Sequence, residues 1–328
     1  MNLFSSKKYN FIVLSLSTLI IFALLSFWPK DTVVAPEIDF PVFPVKEYKI
    51  GIITDIQTTR KKSIGYGLDP ELIVAPLERF IAHTNETFQP NHVVHIGDLI
   101  EGTKRRGQKS IDDWKAIDAY LARLIPPRLH VIGNHERRGL SDDEWKTLSG
   151  NISTYYAYDT DTLRVLILDY DDFGKQNDTG DEGENVDLPD EGKKTYRMSQ
   201  EQLQWIEEKL KEARGRQIVV FVHVPVDDPI NPPEQQTRLK HLFAAYRVKA
   251  VIAGHVETLS YKEESNVRYY TLPGFFRSEN KSTAHWYGTY YDGIVSDIFS
   301  IKMYYKKDIL GEYAEVTIPS PEYDLLGK

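Results

Sequence analysis

Cysteine is absent from this sequence. That excludes a disulfide framework and a thiolate metal site, so any metal must be held by oxygen and imidazole, and it leaves the redox compartment unread. Positive charge is in short supply as well: 40 Lys and Arg face 48 Asp and Glu, a formal net charge of -8 at pH 7. A dedicated nucleic-acid binder normally neutralises phosphates with a basic face, and no stable nucleic-acid partner is expected. There is no internal repeat, and no segment has the ligand spacing and central glycine of an EF-hand calcium loop. What the chain does have is apolar material. It is 41% hydrophobic and 12% aromatic over 328 residues, enough for the core of one large domain or two small ones.

One apolar run is long. Tyr9 to Trp28 carries no charged side chain and has about the length that crosses a bilayer. Lys7 and Lys8 precede it, which leaves residues 1–8 in the cytoplasm and sends the rest of the chain outward. No small-x-small cleavage pattern follows, so residues 9–28 read as a transmembrane signal anchor. Residues 29–46, with four prolines, read as an extended tether. The expectation is a single-pass membrane protein whose folded domain, residues 47–328, lies on the extracytoplasmic side.

From Tyr48 short apolar runs alternate with amphipathic stretches, the pattern of a layered α/β domain. Strands are predicted at Tyr48 to Thr54, His92 to Ile96, Arg128 to Ile132, Gln217 to Val222 and Val248 to Ala253. Thr154 to Tyr158 and Leu163 to Asp169 read as antiparallel strands, which makes the sheet mixed. Asp69 as N-cap and Pro70 at the first helical position open a helix toward His83, with Pro76 inside it. A second helix is predicted from Ile111 to Leu124. Ser141 with Glu144, and Ser199 with Gln202, have capping-box spacing. Residues 174–194 are polar and acidic and read as an insertion. After Asn266, tyrosines and β-branched residues predict strands through about Thr317.

Five clusters of potential ligands follow predicted strands: Asp55-Ile56-Gln57, Gly97-Asp98, Gly133-Asn134-His135-Glu136, His223, and Gly254-His255-Val256-Glu257. In an open α/β sheet the carboxyl ends of strands converge on one edge, so residues far apart in sequence can meet in one polar site. Taken singly, each motif is common. All five in order, each after an apolar strand, are not.

This order resembles the calcineurin-like metallophosphoesterases, whose pattern is D-x-H, G-D, G-N-H-[DE], H and G-H-x-H, and the resemblance covers roughly Tyr48 to Tyr270. It implies a metallophosphoesterase-type α/β sandwich of mixed sheets flanked by helices, preceded here by the N-terminal transmembrane helix. It also implies two divalent cations. Asp98 would bridge them, with Asp55 and Gln57 on one and Asn134, His223 and His255 on the other, and His135 at the catalytic position beside them. The implied reaction is hydrolysis of a phosphomonoester, phosphodiester or pyrophosphate by in-line attack of metal-bound hydroxide. Gln57 and Glu257 depart from the family's histidines, and both fall on the same cation. Asp55, Gln57, Asp98 and Glu257 would form an all-oxygen set, which favours Mn²⁺ or Mg²⁺, with Fe²⁺ and Ca²⁺ as further candidates, over Zn²⁺. A catalytically inactive binding module, in which that weaker site is empty, is the alternative.

The loops after the first three ligand strands are basic: Arg60 to Lys62, Lys104 to Arg106, and Arg137 with Arg138. Arg60, Arg105 and Arg137 are taken as substrate-binding candidates for an anionic small-molecule or lipid phosphoester. Phe275 and Phe276 either stack on a ligand or close the core. Asp113 and Asp118 read as solvated helix faces, and His83, His92, His95, His130, His241 and His285 are given no role. A purple-acid-phosphatase site would need a tyrosine in Gly97-Asp98-Leu99-Ile100-Glu101, which has none.

Overall fold

The structure is a computed structural model that describes residues 46–58, 70–102, 106–171, 196–275, 286–307 and 311–320. The proposed anchor, the tether through residue 45, the acidic insertion, Arg60 and Arg105 lie outside the described residues. Among the described residues no helix is long and apolar enough to cross a membrane.

In chain order the first half contains β1 (Tyr48–Ile53), α1 (Pro70–Ala82), β2 (His92–His95), α2 (Gln108–Leu121), β3 (Arg128–His130), α3 (Asn134–Gly139) and α4 (Asp142–Ser149). The middle contains β4 (Tyr156–Asp159), β5 (Leu163–Leu168), α5 (Gln200–Glu212), β6 (Gln217–Val222), α6 (Pro233–Ala245) and β7 (Ala250–Ala253). β8 (Ser260–Glu264), β9 (Val267–Thr271), β10 (Tyr287–Val295), β11 (Phe299–Lys306) and β12 (Tyr313–Ile318) follow.

These strands form two six-stranded mixed sheets, ordered β12-β11-β10-β1-β2-β3 and β4-β5-β6-β7-β9-β8. The period-2 alternation of the strands decides how they stack. Ile50, Ile52 and Val94 of the first sheet meet Val165, Ile167, Val219 and Phe221 of the second in one core between the sheets. The intervening side chains point outward. Ile53 and Val93 pack with Ile73, Leu77 and Trp114 of α1 and α2, and Leu166, Val220 and Val222 pack with Leu203, Ile206, Leu239 and Phe243 of α5 and α6. Helices therefore cover both outer faces, the layered α/β sandwich expected from the sequence.

Several local expectations change. α2 runs three residues earlier than predicted, and past its end Asn85 donates to the Arg123 carbonyl and accepts from the Ile125 N–H, both at 2.9 Å. Ser141 and Glu144 do form a reciprocal capping box. At Ser199 only half of one forms: its Oγ accepts from the Gln202 N–H at 3.0 Å. The Gln202 side chain turns away to pair with the Asp169 backbone, accepting at 2.9 Å and donating at 2.7 Å. Asp113 is buried rather than solvated, because it shares the buried face of α2 with Ser110, Trp114 and Ile117. α6 and β8 were not foreseen. The buried stripe of α6 is only Gln235, Leu239 and Phe243, too thin to stand out. Phe275 closes the core, and Phe276 lies outside the described residues.

Candidate metal centre

The C-terminal ends of β1, β2 and β3 in one sheet, and of β6 and β7 in the other, each deliver one of the five motifs to a common edge. Beyond β1 and β2 the two loops continue side by side in register. The N–H groups of Asp55 and Gln57 donate to the carbonyls of Gly97 and Asp98 at 3.0 and 2.8 Å, and Thr58 bridges to Ile100. Asp55 is thereby held alongside Asp98. Within this arrangement Asp55, Gln57, Asp98, His255 and Glu257 all adopt left-handed backbone with φ between 47 and 68°. Each such residue costs on the order of 1 kcal/mol or more and persists only where surrounding structure fixes it.

Asp98, His223 and His255 each offer a ligand atom, and the three atoms lie within 4.8 Å of one another. His223 Nδ1 donates to the Ile96 carbonyl at 2.8 Å, which turns Nε2 inward, 3.1 Å from Asp98 Oδ2 and 3.0 Å from Asn134 Oδ1. His255 Nδ1 donates to the same Asn134 Oδ1 at 2.8 Å. On the other side, the His255 N–H points at the Asp55 carboxylate, 3.2 Å from Oδ2. Gln57 Nε2 donates to Glu257 Oε1 at 3.2 Å across a separation of 200 residues. Thus Asp55, Gln57, Asp98, Asn134, His223, His255 and Glu257 gather in one place. Close backbone approach is part of the design: a Cβ at Gly133 would lie 2.2 Å from Asp98 Oδ1, and one at Gly254 would lie 2.3 Å from Asp55 Oδ2.

The electrostatics are those of a cation site. Burial, and after it the Asp98 charge, pushes Asp55 and Glu136 up to about 7 against the pull of His223. Burial opposes ionisation of Asp98 too, yet His223 and His135 override it and hold its carboxyl far below the usual range. His223 is pushed up to about 10, because Asp98 and Asp55 outweigh its burial. Burial and the neighbouring His223 charge drive His255 down to about 3. Buried acidic groups thus outnumber the imidazoles that face them, and divalent cations fit both the donor set and this excess of carboxyl groups.

His135 stands beside this group. Its N–H donates to Asp98 Oδ1 at 2.8 Å, its Nδ1 donates to the Glu101 carbonyl, and the Glu101 carboxylate lies 3.5 Å from the same nitrogen. Nε2 is 3.8 Å from Asp98 Oδ2. The carboxylate of Glu136 accepts four backbone N–H groups: Asp98 and Gly133 on Oε2 at 2.7 and 2.9 Å, Leu99 and Ile100 on Oε1 at 2.5 and 3.2 Å. Neither glutamate was assigned a role from sequence, although Glu101 is three residues past Asp98 and Glu136 belongs to the G-N-H-E motif. Arg137, a substrate-binding candidate, is engaged elsewhere, by the buried Asp169 and by Asp142. Arg138 faces the site instead, with Nη1 3.3 Å from His135 Nε2.

Among solved structures, a dimetal phosphatase from Danio rerio superposes with TM-score 0.61 at 20% identity, covering 83% of this chain and 98% of that one. GAP50, the anchor in the inner membrane complex of Plasmodium, gives 0.55 at 13% identity over 84% and 90%. A purple acid phosphatase from yellow lupin, Lupinus luteus, gives 0.54 at 16% identity, covering 88% of this chain and 56% of that one. At these identities the likeness is one of fold. No curated protein matches the sequence. The family model of the calcineurin-like phosphoesterases, however, matches residues 48–257, the interval that opens on β1 and closes on Glu257, and this chain belongs to that family.

Proposed function

We propose that the domain is a metal-dependent phosphoesterase whose centre is dinuclear and asymmetric. The observation that carries the proposal is the convergence of Asp98, His223 and His255, from three strand ends in two sheets, within 4.8 Å. Asp98 would be shared between two cations, with Asp55, Gln57 and Glu257 completing one set and Asn134, His223 and His255 the other. Divalent cations, when bound, supply positive charge that acidifies water and draws phosphoryl oxygens. The rest falls to the chain. Asn134 gathers both imidazoles through one oxygen in the cation-free site, the Ile96 carbonyl fixes the tautomer of His223, and the Glu101 carbonyl fixes that of His135, leaving its Nε2 as the atom that handles the proton of the departing oxygen. The oxygen-only set at Asp55, Gln57 and Glu257 favours Mn²⁺ or Mg²⁺. An extracytoplasmic location is proposed on Lys7, Lys8 and the apolar run alone.

The Gln57–Glu257 hydrogen bond favours a second reading, a binding module whose oxygen-only set satisfies itself without metal. An assay separates the two. Protein loaded with Mn²⁺, Mg²⁺, Zn²⁺ or Ca²⁺ is given a generic aryl phosphate and a bis-aryl phosphate, and hydrolysis highest with Mn²⁺ is expected. Silence on both substrates, from folded protein carrying metal, leaves the binding module.

Metal uptake should also displace protons. With His223 pushed up to about 10 and Asp55 raised to about 7, the metal-free site at pH 7 holds a proton on the first and part of one on the second. Ligation needs both deprotonated, so at least one proton per chain, the one on His223, should be released at pH 7. Affinity should rise with pH between 6 and 8, since protons compete for the ligands below their pKa values. Calorimetric Mn²⁺ titrations in two buffers of different ionisation enthalpy measure this. Identical enthalpies in both would rule out ligation through His223.

A further inference from the structure

Arg137 and Arg138 are consecutive on α3, yet their surroundings differ. Two carboxylates take up Arg137. The half-exposed Arg138 instead presents Nη1 to His135 Nε2 at 3.3 Å, the nitrogen that also lies 3.8 Å from Asp98 Oδ2. Its charge reaches His255 and Tyr196 as well, whose rings meet edge to face at 5.5 Å. A cation therefore sits one imidazole away from the carboxylate at the centre of the candidate site. A neutral imidazole nitrogen is a weaker acceptor for a guanidinium than an anionic phosphoryl oxygen, which offers charge and a second lone-pair direction.

We propose that Arg138 binds a non-bridging oxygen of the phosphoryl group, exchanging His135 Nε2 for that oxygen when the anion arrives. The proposal rests on the phosphoesterase reading above for the identity of the ligand. It also makes the two roles at His135 consecutive: Nε2 accepts from Arg138 at rest, and once released it takes up a proton from water that it can donate to the leaving oxygen.

The test uses Mn²⁺-loaded full-length protein, wild type, R138Q and R138M, titrated calorimetrically with inorganic phosphate and assayed on an aryl phosphate. Both variants should bind phosphate roughly thirtyfold more weakly, the loss of one charge-assisted hydrogen bond. KM should rise in proportion, with kcat within about fivefold of wild type and metal content unchanged. If R138Q fails to fold or to hold metal, R138M decides by the same criterion. Unchanged phosphate affinity overturns the proposal, as does a loss confined to kcat, which would make Arg138 a positioning residue for His135. Should the wild type hydrolyse nothing, the phosphoesterase reading falls while the phosphate titration still decides the role of Arg138.

Discussion

Replacing Asp98 with asparagine should lower aryl-phosphate turnover by roughly 10⁴-fold, equivalent to about 5 kcal/mol of transition-state stabilisation. Asp98 lies against both halves of the site: its Oδ2 is 3.1 Å from His223, and its own loop runs beside that of Asp55. Asparagine keeps the shape and the Oδ1 acceptor for the His135 N–H, held at 2.8 Å in the native chain, so the fold should survive. What goes is the negative charge that two cations would share. Metal analysis of the purified variant should accordingly find fewer than one tightly held ion per chain. D98N protein that keeps more than a tenth of wild-type turnover would remove Asp98 from the centre of the mechanism.

Glu136→Ala should be the most damaging single change to stability outside the apolar core, at about 4 kcal/mol. The side chain is fully buried, and the N–H groups of Asp98, Leu99, Ile100 and Gly133 all end on its two oxygens. Alanine strands four donors at the point where the β2 and β3 loops meet. Each buried orphan costs on the order of 1 kcal/mol or more, with some relief as the loops relax or water enters. Urea denaturation of metal-free protein measures the effect without interference from ligation. A loss below about 1 kcal/mol would mean that the loops are held by something other than this carboxylate.

Much of the layout was legible because buried parallel strands are nearly continuous apolar runs, and each run here stops at a polar cluster. Tyr48 to Ile53, His92 to His95 and Gln217 to Val222 could be found on that basis, and with them the edge where the motifs meet. The strand pattern does not carry conformation at the ends. Nothing in the letters Asp55, Gln57 or Glu257 announces left-handed backbone, which is imposed by pairing between loops. Nor could Arg137 and Arg138 be told apart, since neighbours on a helix point about 100° from each other and only packing decides which direction is the site. Asp113 reads as solvated for a related reason, as a carboxylate on an amphipathic stretch gives no sign that it turns to the buried face.

The family pattern ends at Glu257, but the cooperative unit does not. β10 pairs antiparallel along β1 from Tyr48 to Ile52, opposite the edge used by β2, and the Phe275 N–H closes onto the Thr54 carbonyl at 2.9 Å, one residue before Asp55. A truncation after Glu257 would retain every candidate ligand and still leave β1 as a bare sheet margin open to self-association. The chain after Glu257 is therefore a brace for β1.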